Sequence, residues 1–130
     1  MREKAAVGVV WHGAELAMQE WTYGEGDTDK IYTFPGDTVG PKEQPVDTVV
    51  RVLEIQLGFP FSKESFKKLK VLRDARRAVS FYEIRVSVNS LTLKEEEKKR
   101  MVLLNLDQIN TLLQNDMVAD LSAEYAGRYF

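Results

Sequence analysis

The stretch "RVLEIQLGF", residues 51 to 59, carries Val52, Ile55 and Gln56 at spacings of three and four residues, which on a helix share one face. That face is nearly neutral and largely apolar. Valine and isoleucine cannot ligate a cation, and Gln56 offers a carbonyl oxygen without charge. Glu54 falls about 100° from Ile55 around the helix and is expected to point to solvent. The acids that could do chemistry stand elsewhere, at Asp37, Glu43 and the run Glu95, Glu96 and Glu97. Carboxylates of this kind suit a hard divalent cation. His12, the one histidine, sits beside Gly13 in an expected turn and reads as a surface residue. There is no cysteine, which excludes disulfides, thiolate metal sites and a thiol nucleophile. Neither a G-x-S-x-G elbow nor a glycine-rich phosphate loop is present.

The elements that must hold these residues can be read from pattern. "AAVGVVW" and "ELAMQEW" are strand-length apolar runs separated by "HGA" and predict a hairpin. "YGEGDTD" predicts an exposed loop, "KIYTF" a short strand, and "PGDTVGPKEQP" an irregular loop. From Pro45, the residues Val46, Val49, Val50, Leu53 and Leu57 recur at helical intervals. Pro45 suits the first turn and Gly58 the stop. "KKLKVL" and "VSFYEIRVSV" predict two strands joined by a turn at "DARRA". The second of them sends Tyr82, Ile84, Val86 and Val88 to one face. A strand "MVLLN" follows the charged run "KEEEKKR". Asn105 with Gln108 forms a capping box opening "LDQINTLLQ", and a last helix spans roughly "MVADLSAEYA". Strands on both sides of one amphipathic helix, with helices at the end, predict an α/β fold: a mixed sheet covered on both faces.

The 130 residues fit a single domain with a real core. A net charge of −2 gives no overall pull towards nucleic acid or an anionic membrane. No run approaches the ~20 apolar residues of a membrane span. The segment Ala5 to Trp11 reads as a first strand and not as a signal peptide, so a cytoplasmic location is expected.

Residues 35 to 59 resemble the signature of the Nudix family: a glycine, five residues, a glutamate, seven residues, then R-E-U-x-E-E-x-G-U with U apolar. Glu43 takes the place of the first glutamate, and Arg51 follows it after seven residues. Leu53, Gly58 and Phe59 fill the apolar, glycine and final apolar positions. "FPGDTVGPKE" is similar to the family's Pro-Gly-Gly loop, with Gly36 kept and Asp37 where the motif glycine belongs. The opening hairpin and "MVLLNLDQI" also sit where the family has them. The resemblance implies a Nudix-like α/β/α sandwich over residues 1–130 and cleavage of nucleoside diphosphate compounds with one to three divalent cations. The family's late, cation-holding glutamates correspond to Val52, Ile55 and Gln56.

Two functions from different classes follow. In the first the fold has lost metal-dependent hydrolysis, has no cofactor, and binds a nucleotide-like molecule or a protein partner. The ligand-binding candidates are then Tyr32 and Phe34, beside the loop, with Arg51, Val52, Ile55 and Gln56 on the helix. Tyr32 could stack on a base, although strand aromatics are mostly core. Val52 and Ile55 either close the old cleft or line an apolar groove, and a homodimer could use that face. In the second, an active hydrolase has a relocated site for Mg²⁺, with Asp37 and Glu43 as metal ligands and Glu43 or Glu96 as catalytic groups. The opposing structural reading pairs Glu43 with Arg51 and leaves "KEEEKKR" as a solvated run. The cluster Arg73, Arg76 and Arg77 could meet a phosphate, or form a solvated turn.

Overall fold

Alternation along the first strand buries both of its faces, and this sets the layering of the molecule. The computed structural model describes residues 2–87 and 91–130, so Val88 lies outside the described residues. In β1 (Glu3–His12), Ala5 and Val9 enter one apolar cluster while Ala6 and Val10 enter another on the opposite side. The first cluster is closed by α2 (Leu106–Gln114) and α3 (Asp120–Tyr129) through Ile109, Leu121, Tyr125 and Ala126. The second is closed by α1 (Pro45–Leu57) through Val49, Leu53 and Leu57. The result is the expected mixed sheet between helical layers. No helix among the described residues is long and apolar enough to cross a membrane.

The sheet order is β3-β2-β1-β6-β5, with β4 also on β1 and β7 also on β2. Here β2 is Glu15–Tyr23, β3 Asp29–Thr33, β4 Gly36–Thr38, β5 Lys67–Arg73, β6 Arg77–Val86 and β7 Lys99–Asn105. β1 runs parallel to β6 over its whole length and antiparallel to its other partners. The predicted hairpin forms, but β1 and β2 pair only beside the turn, at Trp11 with Leu16 and His12 with Glu15. Beyond that point they part: β4 takes the edge of β1 at Ala5 to Val7, while β3 and β7 flank β2.

Helix α1 begins and ends as its sequence dictates. The backbone N–H of Gln44 donates to the Asp47 carboxylate at 3.0 Å. At the other end Gly58 adopts φ 59°, a left-handed conformation that favours glycine, and its N–H donates to the Glu54 carbonyl at 3.1 Å. The Asn105–Gln108 capping box forms reciprocally, with both bonds at 2.8 Å.

Several expectations need correction. The loop after Phe34 contains strand β4, which the sequence alone presents as irregular because Pro35 and Gly36 interrupt any apolar pattern. The last helix starts at Asp120, three residues later than expected at Met117. Tyr32 is the cause: its N–H donates to the Met117 carbonyl at 2.8 Å, and its carbonyl accepts from Ala119 N–H at 3.0 Å, holding that segment extended. The exposed loop after β2 includes a short 3₁₀ turn, Glu25–Asp27. The turn at "DARRA" is built by Asp74, whose Oδ1 accepts the N–H groups of Arg76 and Arg77 at 2.8 Å each, and Arg77 already belongs to β6.

Gly36 is where β4 comes closest to β1. A Cβ there would collide with the Ala6 carbonyl oxygen and with Val7, both in the paired strand. Gly36→Ala is therefore expected to destabilise the fold by roughly 1–3 kcal/mol, measured as a lower midpoint in chemical denaturation.

Candidate functional site

The parting of β1 and β2 opens a cleft. Two adjoining cavities, of about 230 and about 160 Å³, share Gln19 and Trp21 from β2 with Gly36 and Asp37 from β4. The larger continues along Ala5 and Val7 to Ser122 of α3 and Arg77 of β6. The smaller is walled by Arg51, Val52, Ile55 and Gln56 of α1 and by Lys99 of β7. The four helix candidates thus line one cavity.

Their environments differ. Val52 is 6% exposed and Gln56 5%, whereas Ile55 is 51% exposed. Closure and an open groove, posed as alternatives, therefore each hold for one residue of the pair. Val52 is buried in the cavity wall, whereas Ile55 lines the same cavity and stays open to solvent. Glu54 is exposed, as expected.

Glu43 is committed to holding the loop onto the helix. Its Oε2 accepts Arg51 Nε at 2.8 Å, and its Oε1 accepts Arg51 Nη2 at 3.1 Å, Thr48 Oγ1 at 2.9 Å and Gly40 N–H at 2.8 Å. Such a two-pronged guanidinium–carboxylate pair is directional as well as attractive. Arg51 also reaches Asp37 at 3.4 Å. Glu96 pairs with Lys94 at 3.3 Å and Lys99 at 4.0 Å, and it is not among the residues of either cavity. Among the described residues no three His, Cys, Asp or Glu side chains gather as a metal site. The divalent cation implied by the Nudix resemblance therefore does not fit this donor set. Glu43 has both oxygens engaged, Asp37 stands beside a cation, and Val52, Ile55 and Gln56 supply no anionic oxygen.

Tyr32 and Phe34 are not where a ligand could stack on them. Tyr32 is 8% exposed and donates its hydroxyl to Glu20 Oε2 at 2.6 Å. Burial and that carboxylate push the tyrosine pKa up to about 12. Phe34 is buried against Phe81, Tyr125 and Phe130, although it borders the larger cavity. Both belong to the core, because the strand face that they occupy is the one covered by α3. The aromatic that does reach the cleft is Trp21, half exposed, with Nε1 donating to Thr33 Oγ1 at 2.9 Å and Lys99 Nζ 5.0 Å from its ring centre. Gln19, Trp21 and Lys99 were not singled out from the sequence. The available signal was polar: Gln19 and Glu20 interrupt an otherwise apolar strand.

The Arg51 hydrogen bonds, then the Gly40 N–H, hold the Glu43 carboxyl at about 2 against an ordinary 4.5. A carboxylate lowered in the folded state adds stability above its unfolded pKa and loses it as pH falls through the folded one. The melting temperature of the parent protein is thus expected to fall more steeply between pH 4.5 and pH 2 than that of Glu43→Gln, followed by circular dichroism.

No protein-family profile matches the chain, and no curated protein matches it in sequence. Solved structures do. A MutT Nudix hydrolase from Burkholderia pseudomallei superposes with a TM-score of 0.73 at 14% identity, over 100% of this chain and 99% of that one. A Nudix hydrolase from Nitrosomonas europaea gives 0.73 at 13% identity, over 98% and 91%. A MutT/nudix family protein from Enterococcus faecalis gives 0.67 at 14% identity, over 81% of this chain and 44% of that one. At such identities the likeness speaks for architecture: the chain has the Nudix fold.

Proposed function

We propose that this protein is a Nudix-fold binder that has given up metal-dependent pyrophosphate hydrolysis and holds a small nucleotide-like molecule in the cleft between β1 and β2. The observation that carries the reading is the composition of the cleft wall on α1. Val52, Ile55 and Gln56 project where a cation would need carboxylates, and the nearby Glu43 is locked to Arg51. Removing one metal-holding carboxylate from such a reaction typically costs several kcal/mol in the transition state, and here the helix places none in the cleft wall.

A cleft of this shape supports binding independently of catalysis. It is concave, part apolar and part polar, with Trp21 at the junction of its two cavities. The exposed Ile55 beside Trp21 also favours a second reading, in which a protein partner or a second copy covers this face.

Purified protein given nucleoside diphosphate compounds with Mg²⁺ or Mn²⁺ is expected to release product no faster than buffer. A melting-temperature screen of the same compounds, with and without metal, is expected to show a rise that metal does not enhance. Chelator-sensitive turnover would instead favour the relocated site at Asp37, Glu43 and Glu96. A change in oligomeric size on Ile55→Glu would favour the partner reading.

A further inference from the structure

Charge is unevenly placed along the chain. Residues 63–77 carry seven cations and two acids, a net of +5 in a chain of net −2, so all other residues together carry −7. Folding adds to the bias. Arg2 Nε donates to the Asp74 carbonyl at 2.7 Å, and Glu3 N–H donates to the Arg76 carbonyl at 2.8 Å. The N-terminal segment is thereby tied to the turn between β5 and β6. Lys4 and Arg73 both stand opposite Ala78, and Lys68 stands opposite Tyr82. Paired residues share a sheet face, so Lys4, Lys68 and Arg73 lie on the face that carries α1, where Tyr82 joins the cluster of Val49 and Leu53.

Cations elsewhere have partners. Lys30 and Arg100 pair with Glu20, Arg51 with Glu43, Lys94 with Glu96 and Arg128 with Glu124. Among the described residues no such ion pair holds Lys4, Lys68, Lys70 or Arg73, and all four are exposed. Asp74, the acid of the turn, uses Oδ1 to accept the N–H groups of Arg76 and Arg77. Lysines on β5 alone would be explained as guards of an open sheet edge. That role does not call for Arg73 and Arg76 at the turn, nor for Lys4 two strands away.

The kind of partner follows from what this surface lacks. The exposed large apolar side chains among the described residues are Trp21, Tyr23, Ile55, Leu93, Leu106 and Tyr129, and none of them is here. A protein partner needs an apolar anchor, and a single nucleic-acid strand needs aromatic rings on which its bases stack. The register shift between Lys68 and Val71 disrupts the edge on which an added peptide strand would pair. A duplex backbone asks only for positive charge at its phosphates, which arginine grips well. We propose that Arg2, Lys4, Lys68, Lys70, Arg73 and Arg76 form a docking surface for the phosphate backbone of a nucleic-acid duplex, held without reading its sequence. The run from Lys68 to Arg73 is about 15 Å long, against one duplex charge per ~1.7 Å of axis, which leaves room for about four phosphate contacts. None of these residues lines either cavity, so the surface is separate from the cleft and independent of any ligand there.

Fluorescence anisotropy of a labelled DNA duplex of about 20 base pairs and arbitrary sequence tests it. Binding is expected to be micromolar at about 50 mM salt and about a hundredfold weaker at about 200 mM, the response of about four phosphate contacts. Arg73→Gln/Arg76→Gln is expected to weaken binding at least about tenfold and to lower the salt slope by about 2. Lys68→Gln/Lys70→Gln, at solvated positions that leave folding untouched, is expected to do the same. Lys30→Gln/Lys94→Gln removes equal charge outside the patch and is expected to bind within about threefold of the parent, because salt screens distant charges. Equal losses in this last variant, no binding at about 50 mM salt, or a single strand bound more tightly than the duplex would each overturn the proposal. Binding to phosphatidylserine vesicles but not to the duplex would also overturn it, in favour of a membrane surface.

Discussion

The apolar stripe Val49, Leu53 and Leu57 fixes the rotation of α1 about its own axis, and the character of the cleft depends on it. Those three residues are buried against β1 and β6, in the cluster that includes Val10, Tyr82 and Ile84. At ~100° per residue no other face of the helix can turn inward without exposing them. Burial of each is worth roughly 1.5–3 kcal/mol, so the orientation is held firmly. Positions 52, 55 and 56 are thereby delivered to the cleft whatever side chains they carry. A scaffold of this kind preserves geometry while leaving the chemistry free to change.

Opposite the helix, the cleft wall is held by a cross-strand polar network. Glu20 of β2 stands directly across from Tyr32 of β3 and Arg100 of β7. Its two oxygens accept from Arg100 Nε at 2.7 Å and from the Tyr32 hydroxyl at 2.6 Å. Burial pushes the Glu20 carboxyl up, but these hydrogen bonds outweigh it and its pKa lies below the ordinary value. The network ties three strands together on the side where β2 has left β1. Trp21 is the next residue along, so its ring is presented to the cleft by a backbone that has little freedom to move. Thr33 adds a second tie, accepting from Trp21 and donating to the Gln19 carbonyl at 3.3 Å.

Much of this was legible in the chain. Helical spacing located α1, and Pro45 and Gly58 marked its ends, because capping and backbone conformation are local matters. Alternation located the strands, and Asn105 with Gln108 announced α2. Where reading failed, a distant partner had intervened. β4 exists because three residues after Pro35 find the free edge of β1, about thirty positions earlier in sequence. The start of α3 moved because Tyr32 competes for the backbone of residues 117–119. Tyr32 and Phe34 were ligand candidates with core packing as the alternative, and they are core because α3 covers their strand face.

The sequence by itself determined which side chains share the helix face and that they bear no negative charge. Both follow from a fixed angular increment and from side-chain chemistry, neither of which needs a tertiary neighbour. Only the folded structure decided that Val52 is buried while Ile55 is open, that Glu43 turns both oxygens to Arg51, and that Trp21 lines the cleft. The openness of Ile55 and the place of Trp21 depend on where β1 and β2 diverge, a property of long-range strand pairing, whereas the Glu43–Arg51 pair decides between two readings that the sequence had left open. Each strand's edge is taken by partners far away along the chain, so no local window of residues contains the information.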